Sequence, residues 1–168
     1  MSKSLTRVTE ALAEAGVAAR ILHTPDTART AADAALAAGV DLDQIVKSIL
    51  FQASGGDGGL FLFLTAGGRQ VDLARASDLA GQSLVRAEAA RVRAVTGFAI
   101  GGGSPVGHLA PSPVWIDRRL MDFDEVWAAA GTPHHIFAVS PQVLLAVTGA
   151  RLADFTTTSA ASPAFGAG

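Results

Sequence analysis

The sequence contains no cysteine, which removes disulfides, thiolate metal sites and cysteine nucleophiles from consideration. Lysine is nearly absent: Lys3 and Lys47 stand beside eleven arginines. No run approaches the roughly 18 apolar residues that span a bilayer. The start, MSKSLTRVTEALAEAG, mixes charges at helical spacing where a signal peptide would carry an apolar core. The expectation is a cytoplasmic protein without a membrane partner. A basic excess is missing too, since 13 Lys and Arg against 15 Asp and Glu give a formal charge of -2. No global field would gather DNA or other long nucleic acid, although contact with one end of a nucleic acid stays open. Neither an internal repeat nor a linker interrupts the 168 residues. That is one domain's length, and 49% hydrophobic residues suffice for a core.

What is present is an alternation of helical and extended patterns. Ser4 can cap a helix with Leu5, Val8 and Leu12 on one face, and Gly16 lies where it would stop. VAARILH reads as a strand. Thr30 with Asp33 forms a capping box before AADAALAAG, and Asp41 with Gln44 repeats the device. IVKSILFQ and LFLFLTA, joined by SGGDGG, form a hairpin at the centre of a sheet. Next come a helix ending at Gly81, a strand in SLVRA, a helix ending near Gly97, strands in PVWID and HHIFAVS, and a helix capped by Ser140 and Pro141. The fold class is α/β, a single-domain mixed β-sheet with surrounding helices. The domain is expected over residues 1–155, and the composition of 156–168 reads as a disordered tail.

The stretch GFAIGGGSPVGH, Gly97 to His108, is chemically the most unusual part of the chain. It lacks the lysine of a phosphate-binding P-loop, the glycine two places after Ser104 that a hydrolase elbow needs, and the glycine spacing of a dinucleotide fingerprint. Glycines at 101–103 permit positive φ and close approach of a ligand, while Pro105 stiffens the exit. Such a loop can present N–H groups to an oxyanion, or it can be a plain surface connection. Lys47 lies within an apolar strand, where an ammonium needs a partner. It is either chemical or a snorkelling edge-strand lysine. His134 and His135 are neighbours and would point to opposite faces of a strand, so they cannot chelate one metal together. No HExxH or comparable spacing occurs, and neither metal nor cofactor is expected. His23 reads as a strand-end residue, and His108 could orient the glycine loop.

In this order IVKSILF, GFAIGGGSPVGH, VWID and ARLADF resemble the YbaK and prolyl-tRNA synthetase editing-domain family, with only the tail outside the likeness. The resemblance implies a trans-acting aminoacyl-tRNA deacylase that clears a small wrong amino acid, most often from the proline tRNA. Its partners would be the tRNA acceptor end and, transiently, a synthetase. By the same resemblance the strand lysine falls on Lys47, which with Gly101 and Gly102 makes the expected catalytic set. Gly103, Ser104, Pro105, Gly107 and His108 lie in the matched stretch, the acidic strand-end residue is Asp117, and the pocket histidine is His135. Many relatives have glutamine at the position of His108. An aminoacyl ester is already activated, so a placed water and oxyanion stabilisation are the main requirements. The alternative is a non-catalytic tRNA-end or nucleotide-binding module of the same fold.

Overall fold

The computed structural model describes residues 2–55, 59–99 and 101–158. Helix α1 spans Lys3–Glu14, and its cap is Ser2, whose hydroxyl accepts from Leu5 N at 3.0 Å. Ser4, the expected cap, instead sits in the first turn. Strand β1 is Arg20–His23, the second half of the apolar run read as a strand. Thr30 and Asp33 close the expected capping box on α2, Ala31–Ala38, and Gly39 ends that helix in the left-handed region. Asp41 and Gln44 box a 3-10 turn, Leu42–Gln44, that feeds β2, Ile45–Ala53. The hairpin closes with β3, Leu60–Ala66. Then follow β4, Arg69–Val71, α3, Leu73–Ala80, β5, Leu84–Arg86, and α4, Ala89–Thr96. After the glycine loop come β6, Val114–Asp117, β7, Val126–Ala129, and β8, His135–Val139. The chain continues into α5, Pro141–Thr148, β9, Arg151–Ala153, and β10, Thr156–Thr158.

The main sheet runs β1-β8-β7-β2-β3-β6-β9, with β5 pairing the far end of β2, so the β2–β3 hairpin is central as its apolar runs predict. It is mixed: β2 with β7, β3 with β6 and β6 with β9 are parallel, the other pairs antiparallel. Among the described residues no helix is long and apolar enough to cross a membrane.

Each strand sends alternate side chains to two faces, and both faces are covered. On one, Val46, Leu50, Leu62, Leu64, Ile116, Val126 and Phe137 pack under α1, the loop residues Phe98 and Val106, and α5. The other face carries two separate clusters. Ile45, Trp127, Ala129 and Ile136 meet the alanines of α2, while Ile49, Phe51, Phe63, Trp115 and Phe155 form an aromatic group under α3. Within that group Phe63 stacks on Trp115 at 4.9 Å between ring centroids and meets Phe155 edge-on at 5.0 Å. Offset and edge-on pairs of this kind contribute about 0.5–1.5 kcal/mol each beyond area burial. Lys47 occupies the break between these two clusters.

Two sequence expectations change. VWAA, between the expected strands PVWID and HHIFAVS and given no strand of its own, is the buried strand β7. Thr156–Thr158, assigned to a disordered tail, pair antiparallel with β4 as β10, where three β-branched residues suit an extended backbone. The remainder of the expected tail, 159–168, lies outside the described residues.

Candidate functional site

The glycine loop is built from its ends inward. Gly97 closes α4 at φ 81° and Phe98 is buried beneath α1. Gly101, at φ 86°, then brings the chain across the turn that precedes β8. A Cβ on Gly102 would lie 2.9 Å from Thr132 Cα and 3.0 Å from Gly131 O, and one on Gly101 would lie 3.6 Å from Pro133 Cβ. Only glycine lets two backbones approach so closely. Gly102 donates its N–H to Ala99 O at 3.0 Å. The Gly102 N–H expected to face substrate is thus engaged within the loop, and Gly102 packs closely on the Gly131–Thr132 backbone. The next two N–H groups, of Gly103 and Ser104, have no acceptor among the described residues. Successive free amides in a glycine-rich turn form an anion-binding concavity.

Ser104, Pro105, Gly107 and His108 shape the loop's return. Ser104 Oγ accepts from Val106 N at 3.1 Å, and Pro105 is buried. His108 Nε2 donates to Ser104 O at 2.6 Å, so the ring does orient the loop. Burial holds the His108 pKa below its ordinary value, the Ser104 carbonyl partly opposes this, and the Arg7 charge adds to the lowering. Gly107 lies against α1, where a Cβ would be 3.2 Å from Arg7 O and Val8 N.

Facing the loop is Ser48, on the same sheet face as Val46 and Leu50. Its Cβ is 4.0 Å from where a Cβ of Gly103 would be, the residue is 3% exposed, and its hydroxyl has no hydrogen-bond partner among the described residues. His135 opens β8 on this face, in line with Phe137. Its Nδ1 lies 2.6 Å from Thr132 Oγ1, and its ring meets that of His23 edge-on at 4.9 Å. Burial, then the neighbouring His23 and His134, keep the His135 pKa below the ordinary value. His134 precedes the strand and turns toward Asp26, with 3.9 Å between its Nδ1 and the carboxylate. Thus the loop, Ser48, Thr132, His135 and His23 converge on one side of the sheet.

Lys47 does not join them. Adjacent residues on a strand face opposite ways, and with Ser48 toward the loop, Lys47 enters the other side, where it is 1% exposed and donates to Arg69 O. It lines a cavity of about 230 Å³ with Ile49, Phe51, Thr65, Gln70 and Arg86. Desolvation lowers its pKa from the ordinary 10.5 to about 8, against the opposing charges of Asp43 and Asp117. Lys47, expected in the catalytic set with Gly101 and Gly102, thus stands on the face of the sheet opposite the glycine loop. Asp117 is likewise committed: one carboxylate oxygen accepts from Ala66 N at 3.2 Å and the other from Arg119 N at 3.0 Å. Asp43 accepts from Gly68 N at 2.8 Å. Three charged side chains thus fasten the short turn between β3 and β4 by its own backbone groups.

Comparison with known proteins decides the family. Residues 25–147 match the aminoacyl-tRNA editing domain. The chain belongs to that family. This editing domain superimposes with a TM-score of 0.87 on a solved structure described as a "putative trans-editing enzyme for prolyl tRNA synthetase", 43% identical, covering 94% of this chain and 99% of that one. It is similar also to the hypothetical protein APE2540, with a TM-score of 0.82, 28% identity, and coverage of 90% and 99%. Among curated proteins, the uncharacterized protein YwhH of Bacillus subtilis (strain 168) is 29% identical over 115 residues, 68% of this chain and 72% of that protein.

Within the editing domain, Ser48, Thr132 and His23 are the site residues that sequence reasoning missed. Ser48 had a visible signal: it is a hydroxyl between the apolar Val46 and Leu50 on one parity of the strand. Thr132 and His23 had none, because each matters only through its contact with His135.

Proposed function

We propose that this chain is a trans-acting deacylase in the cytoplasm that hydrolyses the ester of a mischarged tRNA, a proline tRNA carrying a small wrong amino acid. The reading rests chiefly on the amides of Gly103 and Ser104 and, beside them, the Ser48 hydroxyl, none of which has a partner among the described residues. Family membership and the likeness to the structure described above support it. Water adds to the ester carbonyl, and the loop amides stabilise the resulting oxyanion. The bond from the acyl carbon to the ribose oxygen then breaks, and the proton released by the water ends on that oxygen. Free amino acid and uncharged tRNA leave.

Such a site has a clear energetic purpose. A synthetase pocket discriminates one methylene by only about 1–3 kcal/mol, so errors of size need a second sieve. The His135 ring, held by Thr132, limits the volume available to the amino acid. Lys47 contributes from behind, by fixing β2 and hence Ser48. With a formal charge of -2, the protein is suited to the acceptor end rather than to a long stretch of RNA backbone.

The test is a panel of proline, alanine and other tRNAs carrying labelled alanine, serine, threonine, cysteine or proline, with release of free amino acid as the readout. Hydrolysis of the small wrong amino acid with sparing of prolyl-tRNA is the expected result. Binding of charged tRNA without release would establish the non-catalytic module instead.

A further inference from the structure

The glycine loop leaves the body of the fold at Thr96–Gly97 and returns at Gly107. Its middle, Gly101 to Gly103, spans a turn to which it is tied by packing rather than by side-chain bonds. One side chain joins both ends. From α1, Arg7 donates through Nε to Gly107 O at 3.2 Å and through Nη2 to Thr96 O at 3.3 Å. The same guanidinium lies 5.2 Å from the centroid of Phe98, the residue that begins the loop. A planar fork with several donors in fixed geometry can bridge two carbonyls in this way, whereas an ammonium cannot hold the same two directions and stack as well.

Helix α1 also supports the opposite wall. Gly131, at φ 99°, is so close to its first turn that a Cβ would lie 2.6 Å from Ser4 O, and Ser4 Oγ donates to Gly97 O at 3.4 Å. Loop and turn therefore share one frame. The turn carries Thr132, which holds His135. A shift of α1 would move the acceptor-free amides and the histidine together.

From this geometry we infer that Arg7 is a positioning residue, whose guanidinium sets the register of the glycine loop against the Gly131–His135 turn. It touches no substrate and acts through Thr96, Phe98 and Gly107. The inference rests on the reading of the loop as the oxyanion site, and it adds the N-terminal helix to the apparatus that aims it.

The experiment uses the full chain with Arg7→Met, which keeps much of the stem and removes the fork, and Arg7→Lys, which keeps the charge. Hydrogen exchange is followed at the Gly102, Val106 and Leu109 amides, which donate to Ala99 O, Ser104 Oγ and Thr96 O, and, as an internal reference, in β2 and β3. Arg7→Met is expected to speed loop exchange by at least ~10-fold while the hairpin stays protected, because loss of the clamp opens the loop locally. Its kcat on a mischarged tRNA should fall on the order of 10–100-fold with KM nearly unchanged, the signature of donors displaced from the transition state. Arg7→Lys should restore little of either. Unchanged loop exchange in Arg7→Met overturns the inference, as does full kcat with a loosened loop. Should Arg7→Met fail to fold, Arg7→Gln, which retains one donor, replaces it in both arms. A wild-type chain that cleaves no charged tRNA would instead sink the deacylase reading, and loop exchange would then decide the clamp alone.

Discussion

Replacing Lys47 with methionine should change the pH dependence of stability in a predictable direction. The ammonium is 1% exposed, and desolvation brings its pKa from the ordinary 10.5 to about 8 despite Asp43 and Asp117. Between those two values the unfolded chain holds a proton that the folded chain has released. Stability contributed by this group therefore rises with pH across that window and is constant below it. One pKa unit corresponds to about 1.36 kcal/mol, so the full rise is about 3 kcal/mol. Methionine is unbranched, of similar length and has nothing to titrate. The lost bond to Arg69 O lowers the variant's stability by the same amount at every pH, so it cancels in the slope. Urea unfolding of both proteins from pH 7 to pH 10 gives the difference directly. It should be flat up to about pH 7.5 and then grow in favour of the wild type. For a denaturant dependence of about 1–3 kcal/mol per molar, the midpoints would separate further by on the order of 1 M. A difference that stays level to pH 10, or declines, would refute the placement of Lys47 as a charged group in a desolvated site.

Gly102→Val should lower turnover on the order of 10²-fold, because the added carbons displace the Thr132 backbone and misplace the loop. Full activity with an unchanged structure would remove the loop from the site. His135→Ala should relax size exclusion, making larger aminoacyl esters including prolyl-tRNA cleavable, whereas His134→Ala, aimed at Asp26, should alter selectivity little. Both are read from one panel of charged tRNAs, and the reverse pattern would exchange the two roles. The lowered pKa values of His108 and His135 mean that the unfolded chain takes up protons first as pH falls below the ordinary 6.5. Melting temperature should therefore drop between pH 7 and pH 5, and His108→Gln should flatten the slope. A slope unaltered by that variant would count against a buried neutral His108.

Local signals were legible in the sequence. The Thr30–Asp33 capping box, the glycine stops at 39, 81 and 97, and the β2–β3 hairpin all depend on residues near one another in the chain, and each stands where its chemistry puts it. Strand β7 was not legible, since VWAAA lacks period-2 alternation and its run of alanines is poor in strand propensity. It is extended because β2 and β8 pair on its two sides and α2 lays alanines against Trp127 and Ala129. The site shows the same division. The loop was singled out by its composition and His135 by the family resemblance. The face of Lys47 was not, because strand parity becomes meaningful only when distant partners show which side holds α1 and the loop.

The strand order has a consequence for how the molecule comes into being. Among the described residues, strand β1 pairs with β8 alone, setting His23 opposite His135. Closing so long an interval carries an entropic cost that must be met before the contacts repay it. The β2–β3 hairpin can form early and locally, yet β1 has no neighbour until Val139 has been synthesised and has left the ribosome. The histidine pair and the wall beneath the glycine loop are thus among the last parts to assemble. A nascent chain of this protein is without that histidine pair until β8 has been made.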